Sequence, residues 1–367
     1  MNFISVIVVI FSVLAAADRI FGGRLGMGKE FERGFMLLGN MALSMIGMII
    51  ISPWLAELLT PAFDGFYSIF GLDPSIIPAS LFANDMGGAP LAVEVAKDPA
   101  VGMYNALVVS SMMGVTISFT LPYAMEAVGK EHHREMLLGF LCGIVTVPVG
   151  CFVGGLVLGL SALTVILNLL PILFIAVIVA LGLVFLPEIS VKIFNILGIA
   201  IKTLITVGLV LGIIRFLTGY ELIKGLDTIE SGAAVCLNAA IVMTGAFPLI
   251  YLVSKLLKKP LERVGKAVDI NEVSAVGFIS SVATSVTTFG MMDRMDKKGV
   301  MLNSAFAVSA AFTFAGHLAF TMAFPGSGTP YIVAMIVGKL ISGAVALALA
   351  VVIYKRTSKE EKVPDGN

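Results

Sequence analysis

A chain of 367 residues that is 58% hydrophobic and only 13% charged has the composition of a protein solvated by lipid. Its 24 basic and 24 acidic residues balance to a formal net charge of zero, which excludes a strongly basic nucleic-acid-binding surface. The three cysteines lie in apolar runs without metal-ligand spacing, so we predict no metal site and no cofactor.

Apolar runs long enough to cross a bilayer recur along the chain. About 20 mainly apolar residues in a helix cover roughly 30 Å of hydrocarbon. The first run continues past Ala17 and has no basic residue ahead of it, so we expect a retained helix rather than a cleaved signal peptide. We predict about nine transmembrane helices, near residues 3–22, 34–59, 100–126, 135–159, 163–186, 199–217, 232–257, 300–324 and 331–354.

Two other apolar segments, 75–97 and 268–296, are interrupted by Gly, Pro, Ser, Thr, Asn and Asp. Such segments do not cross as plain helices, because backbone groups freed at membrane depth must face protein or a wet cavity. We predict that both are re-entrant hairpins. The fold class is therefore an all-α polytopic membrane protein.

Basic residues predict the orientation, because loops rich in Lys and Arg stay in the cytoplasm. With nine spans, four basic clusters fall on one side of the membrane. They are Arg24, Lys29 and Arg33; Lys130 and Arg134; Lys255, Lys258, Lys259, Arg263 and Lys266; and Lys355, Arg356, Lys359 and Lys362. We therefore predict a multi-pass protein of the cell membrane, with its N-terminus outside and residues 355–367 as a cytoplasmic tail.

An offset of 198 positions aligns the chain with itself. Seven of 26 positions are identical between 34–59 and 232–257, which is more than apolar bias alone would give. The same offset pairs Asp98 with Asp296 and Asn105 with Asn303. We predict two repeats, residues 1–198 with five spans and residues 199–354 with four. Because five is odd, the second repeat enters the membrane inverted, as in alternating-access transporters.

The hairpin tips carry the main candidates for substrate binding. At the first tip these are Asn84, Asp85, Gly87 and Gly88. A carboxylate at membrane depth is costly unless it meets water, a cation or a partner, so Asp85 either lies in the site or caps a helix at the outer interface. The second tip offers hydroxyl groups that could bind substrate or only bond to backbone. They belong to Thr284, Ser285, Thr287 and Thr288.

Other polar residues within the spans are candidates for lining the same site. Four amides could line it or cross-bond helices, namely Asn40, Asn105, Asn238 and Asn303. His317 could sense pH or donate to a substrate hydroxyl, or it could be a neutral histidine satisfied by its surroundings. The sequence contains no catalytic triad, HExxH motif or phosphate-binding glycine loop, so we predict a transporter and not an enzyme.

Two segments resemble one known family. Residues 31–36, Phe-Glu-Arg-Gly-Phe-Met, and 80–92, which include Asn-Asp-Met-Gly-Gly, are similar to the ethanolamine-utilisation membrane proteins of the EutH type. The similarity extends over essentially the whole length. It implies a permease that takes up ethanolamine across the cytoplasmic membrane of bacteria, for cleavage by a cobalamin-dependent lyase elsewhere. Ala89 stands where some members of the family have a larger residue.

The resemblance and the residues lead to one hypothesis and two alternatives. Ethanolamine is mostly protonated near neutral pH, so we expect Asp85 and Asn84 to bind its ammonium, and Ser285, Thr287 or Thr288 to bind its hydroxyl. Transport could be driven by the membrane potential. The alternatives are a permease for another small polar metabolite such as a nucleoside, and a membrane-embedded ligand sensor without flux. We also expect a homo-oligomer in the lipid bilayer.

Overall fold

The computed structural model describes residues 3–267 and 269–360. Three predictions extend beyond these ranges: residues 1 and 2 of the first repeat, Val268 at the start of the second hairpin, and residues 361–367 of the tail lie outside the described residues.

The described residues form helices joined by short turns. The α-helices are α1 Phe3–Ile20, α2 Met27–Met36, α3 Leu38–Phe70, α4 Ile76–Leu81, α5 Gly88–Val95, α6 Pro99–Tyr104, α7 Leu121–Ala127, α8 His133–Val157, α9 Ala162–Phe185, α10 Pro187–Thr218, α11 Ile229–Ala267, α12 Glu272–Ala283, α13 Ser285–Phe289, α14 Lys297–Ala310, α15 Gly316–Ala323 and α16 Thr329–Glu360. Two π-helical stretches, Asn105–Gly114 and Thr116–Thr120, join α6 to α7. Helices prevail because a chain in lipid must satisfy its backbone hydrogen bonds within each segment.

Eight of the helical segments among the described residues are long and apolar enough to cross a membrane. They are Phe3–Ile20, Met27–Phe70, Pro99–Ala127, Lys130–Val157, Ala162–Phe185, Glu188–Thr218, Ile229–Leu256 and Thr329–Arg356. The chain is therefore an all-α multi-pass membrane protein, as the composition predicts. Local signals set several helix ends. Ser161 caps the start of α9, and Gly71 and Gly219 end α3 and α10 in the left-handed conformation that glycine adopts readily.

The ninth predicted span, 300–324, is not one continuous helix. It divides into α14 and α15, which are separated at residues 311–315. Its two ends nevertheless lie at opposite ends of α16, because Lys298 stands 5.9 Å from the ring of Tyr354 while residue 324 leads directly into the start of α16. The segment thus runs the length of a membrane-spanning helix in two pieces, which hydropathy alone does not reveal.

Each predicted hairpin is closed at its base by one polar side chain. The carboxylate of Asp73 accepts hydrogen bonds from the backbone N–H groups of Lys97 and Asp98, at 2.9 and 2.8 Å. At the second hairpin, the N–H of Asn271 donates to Asp296 at 2.8 Å. Position 73 plus the offset of 198 is position 271, so the two closures involve matched residues.

We expect Asp73→Ala to lower the free energy of unfolding by about 2 to 3 kcal/mol, because several hydrogen bonds to one carboxylate are lost together. The measurement is thermal or denaturant unfolding in detergent. The matched control is Asp64→Ala, which removes an exposed ion pair with Lys97 and should change stability by less than about 1 kcal/mol. Equal effects of the two substitutions would contradict the proposed role of Asp73.

Close helix contacts also recur at matched positions of the two halves. Glycine allows the backbones of neighbouring helices to approach closely, because a Cβ atom there would overlap the facing helix. The matched approaches are Gly34 to Thr244, Gly232 to Ile46, Gly47 to Ile205 and Gly245 to Val8. As a result, α1 packs on α11 and α10 packs on α3. The predicted boundary between repeats, after residue 198, lies inside the continuous helix α10.

Candidate substrate site

The tip of the first hairpin is held by the π-helical segments. Phe82 and Ala83 are extended, and residues 84–86 form a single 3₁₀ turn. The N–H of Ala83 donates to Oγ of Ser118 at 3.0 Å, and Gly114 approaches the carbonyl oxygen of Phe82 directly. The extended chain therefore obtains its hydrogen bonds and contacts from another helix, as non-helical backbone inside a bundle requires. π-Helical turns occur frequently at functional sites.

The two glycines of this tip are required by its geometry. Gly87 has a φ of +109°, which L side chains rarely adopt, and its missing Cβ would lie 2.3 Å from the side chain of Met48. A Cβ on Gly88 would lie 2.2 Å from the carbonyl oxygen of Phe82. Both therefore shape the tip, and neither offers a side chain to a substrate.

Asn84 and Asp85 have the properties of a binding site. The side chain of Asn84 is fully buried, yet neither its amide nitrogen nor its amide oxygen has a hydrogen-bond partner among the described residues. Buried polar groups are nearly always paired, so an unpaired amide indicates a place for a ligand or water. Asp85, the next residue along the chain, is only partly buried.

A buried lysine lies close to this tip. The Lys339 side chain in α16 is fully buried, and its ammonium donates to the carbonyl of Ser111 and, at 3.1 Å, to Nδ1 of His317. An Nδ1 that accepts this bond is unprotonated, so we assign His317 as the neutral tautomer with its proton on Nε2. Asp85 and Lys339 are within electrostatic range of each other.

Sequence reasoning missed Lys339, although the sequence carries a signal for it. Lys339 is the one charged residue in the predicted span 331–354. An ionisable residue inside a transmembrane segment is rare and usually functional, because lipid does not solvate its charge. The prediction treated the span 331–354 as uniformly apolar and therefore did not consider this lysine.

The second hairpin tip uses most of its hydroxyl groups locally. Thr284 caps α13 by accepting from the N–H of Val286, and Thr288 donates to the carbonyl of Gly277 while accepting from Ser281. Ser285 is buried, and its hydroxyl has no partner among the described residues. Thr287 is exposed and lines, with Thr284, Arg33 and Glu30, a cavity of about 180 Å³.

The break between α14 and α15 connects the two tips. The N–H of Phe312 donates to the carbonyl of Ser281 in the second hairpin, and α15 contacts the 3₁₀ turn of the first. Phe312 itself has a φ of +63°, an uncommon conformation for a bulky residue, and its ring lies 5.2 Å from that of His317. Strained backbone of this kind clusters at functional sites.

The four predicted amides divide into two pairs. Asn105 forms two reciprocal bonds with Asn168 and donates to Ser75 at the base of the first hairpin. Asn303 donates to the carbonyls of Ser274 and Gly299 at the second. These contacts favour the cross-bonding interpretation of both.

Asn40 and Asn238 form the other pair, because both are exposed on the outside of their helices. Asn40, near the start of α3, stands in the sequence between Gly34 of α2, which contacts Thr244, and Ile46 of α3, which contacts Gly232. Asn238 stands in α11 between Gly232 and Thr244.

The first hairpin supplies a carboxylate and an unpaired amide, α16 supplies an ammonium, and α15 supplies an imidazole, and these elements contact one another beside the π-helix Asn105–Gly114. Such a set can bind a small cation that also carries a hydroxyl group. The family model for the ethanolamine utilisation protein EutH matches residues 1–353. The chain belongs to the EutH family. The resemblance that we found in the sequence is therefore confirmed.

Relatives match over nearly their full length. A protein of Listeria monocytogenes named probable ethanolamine permease EutH is 41% identical, over 98% of this chain and 95% of that protein. One of the same name in Salmonella typhimurium is 38% identical, over 95% and 94%. The uncharacterised protein YxeR of Bacillus subtilis is 36% identical, over 93% and 91%. No solved structure matches the chain.

The part matched by the EutH family model contains both hairpin tips, the broken segment and the buried lysine. The whole candidate site therefore lies within the region that defines the EutH family.

Proposed function

We propose that this chain is a permease that takes up ethanolamine by alternating access, and that it is a transporter rather than an enzyme. The observation that carries the proposal is the first hairpin tip, where the unpaired amide of Asn84 is followed by the partly buried carboxylate-bearing residue Asp85. Relatives named probable ethanolamine permease support the choice of substrate.

The chemistry of ethanolamine fits these groups. Its ammonium needs an anion, which Asp85 supplies, and its hydroxyl needs a donor or acceptor, which the amide of Asn84 provides. At the second tip the unpaired hydroxyl of Ser285 and the exposed hydroxyl of Thr287 are the groups able to bind the solute during its passage. Thr288 is a weaker candidate, because its hydroxyl is already bonded on both sides.

Alternating access is supported by the pairing of the two halves. Hairpins closed by matched residues, and glycine contacts repeated at matched positions, are expected of two inverted repeats with re-entrant hairpins. The first hairpin adjoins a cavity of about 260 Å³ near Asp73 and Asp98 at its base, and the second adjoins several cavities, among them one of about 180 Å³ at its tip. We propose that these cavities belong to the two opposite access routes.

We propose that the N-terminus is outside and the C-terminus cytoplasmic. In support, the turn between α1 and α2 lies beside Tyr251, close in sequence to the basic residue Lys255 of α11, whereas the loop 219–228 lies beside Ile50 and Glu57 of α3. A cysteine replacing the exposed Tyr220 should react with a membrane-impermeant maleimide in intact cells, and one replacing Arg24 only after permeabilisation. The buried native cysteines give a low background. The opposite labelling pattern would reverse the orientation.

We also propose a homo-oligomer that forms over the exposed face of α3 and α11. Asn40 and Asn238 are exposed there among apolar side chains, and an amide facing lipid gains stability when a second copy supplies hydrogen-bond partners. A cysteine at the exposed Leu237 should cross-link between copies in membranes, whereas one at the more exposed Phe174 of α9 should not. Cross-linking through Phe174 alone would place the interface elsewhere.

The deciding experiment is uptake of labelled ethanolamine into proteoliposomes that contain only this protein, at mildly acidic pH so that leakage of the neutral amine is small. Saturable uptake, with the label recovered as unchanged ethanolamine, supports the permease. Binding without flux would indicate a sensor, and competition by a nucleoside but not by ethanolamine would indicate another cargo.

A potential of about 100 mV is worth roughly 2.3 kcal/mol per charge, so it could concentrate the cation about 50-fold through a uniporter.

A further inference from the structure

Lys339 has no role in the proposed binding of ethanolamine, yet it occupies the same site. A lysine inside a membrane helix is costly to keep charged, and here its partners are a carbonyl and an imidazole rather than a carboxylate in direct contact. Among the described residues no ion pair joins Lys339 to an acidic group, although Asp85 is within electrostatic range. Lysine, unlike arginine, readily exchanges between charged and neutral forms when buried.

The groups that face Lys339 from the neighbouring elements are few. They are Asp85 from the first hairpin, His317 from α15 and the thiol of Cys151 from α8. The π-helix Asn105–Gly114 has no titratable residue. The titratable residues of α14 are Lys297 and Lys298, and Lys298 lies near Tyr354 toward the other end of α16. Asp85 is therefore the one acidic side chain that faces Lys339 from these elements.

One carboxylate balances one cation. With Lys339 charged and Asp85 ionised, the empty site is neutral; an added ammonium would leave it with one uncompensated positive charge in a low-dielectric region. Like charges in such a place repel strongly, so binding of the substrate cation favours loss of the proton on Lys339.

We propose that Lys339 is the coupling residue of this permease: its ammonium occupies the cation site when substrate is absent, and it gives up one proton for each ethanolammonium ion that binds. The inference rests on the proposed function. During binding, one N–H bond of Lys339 breaks, the electron pair stays on Nζ, and the proton passes to water on the side to which the site is open. Nδ1 of His317, at 3.1 Å, is the first acceptor in hydrogen-bond contact. When ethanolammonium leaves, Lys339 takes a proton from the other side.

Exchange of one cation for one proton moves no net charge. The wild-type protein should therefore carry ethanolammonium without response to an imposed membrane potential, and a pH difference should drive it instead. A permease without this coupling would respond to the potential.

The test is proton release on binding, measured with a pH indicator in weakly buffered detergent solution. Ethanolamine is added as its hydrochloride at about pH 6.5, where nearly all of it is ammonium. We expect about one proton released per ethanolamine bound by the wild-type protein, with the amount bound measured separately by equilibrium dialysis of the labelled compound. This measurement requires no variant.

Two substitutions separate coupling from packing. Lys339→Met keeps an unbranched chain without charge, so it should still bind ethanolamine but release no proton. Lys339→Arg keeps the charge and cannot release it, so its affinity should fall by about 100-fold. If Lys339 only held helices together, arginine would be the milder change, because it retains the hydrogen-bond donors.

The outcomes distinguish the two proposals. Binding by the wild-type protein without proton release, or tighter binding by Lys339→Arg than by Lys339→Met, overturns the coupling role and leaves the permease intact. Absence of both ethanolamine binding and uptake in the wild-type protein overturns the proposed function itself.

Discussion

Asp85→Asn is expected to reduce the initial rate of ethanolamine uptake by about 30- to 150-fold at low substrate concentration. An ammonium bound to a carboxylate gains about 2 to 3 kcal/mol over a neutral partner, and asparagine has nearly the same size as aspartate. Asp85 is partly buried and follows the unpaired Asn84, so the substitution changes the charge of the tip with little change in packing.

The matched control is Asp64→Asn, which makes the same chemical change at an exposed residue that pairs with Lys97 at the base of the hairpin and not at its tip. Uptake by this variant should remain within about twofold of the wild-type rate, because exposed ion pairs contribute little. Both variants are first compared by their amount in the membrane and by size-exclusion profile. Normal uptake by a correctly inserted Asp85→Asn protein would remove Asp85 from the binding site.

Gly88→Ala should have the second large effect, although it adds only one methyl group. Its Cβ would lie 2.2 Å from the carbonyl oxygen of Phe82, which belongs to the same tip and is also approached closely by Gly114. Overpacking of this kind costs about 1 to 3 kcal/mol or more and shifts Asn84 and Asp85 from their positions. We expect uptake to fall at least about tenfold, with a lower unfolding temperature in detergent.

Gly290→Ala at the second tip provides the comparison. Gly290 has an ordinary right-handed conformation, and the atom nearest to its added Cβ is 3.4 Å away. This variant should keep wild-type uptake and stability. If both alanine variants behave alike, then the close packing of the first tip does not control transport.

Several features of the site follow from local sequence. Asn84, Gly87 and Gly88 stand out because they interrupt an apolar segment, and an interrupted segment at membrane depth needs a protein-lined cavity. The pairing of Asp73 with position 271, and of Asn105 with Asn303, was accessible from the offset of 198 residues. These signals are local or periodic, so they are visible without a structure.

The four predicted amides show the limit of prediction from local sequence. Asn40 and Asn105 have the same side chain in equally apolar spans, yet Asn40 is exposed and Asn105 is buried and bonded to Asn168. A helix that is apolar on every side has no amphipathic pattern to indicate its inner face. Only the packing of neighbouring helices decides which residues point inward.

The sequence by itself determined the membrane class, the approximate position of eight spans, the two interrupted segments and the family, because hydropathy and motifs are properties of consecutive residues. The tertiary structure decided that Lys339 contacts His317 and lies within electrostatic range of Asp85, and that the segment 300–324 divides into two helices. Those facts depend on contacts between residues remote in sequence. In lipid such contacts are selected by close packing and by buried hydrogen bonds, and neither leaves a pattern in a uniformly apolar run.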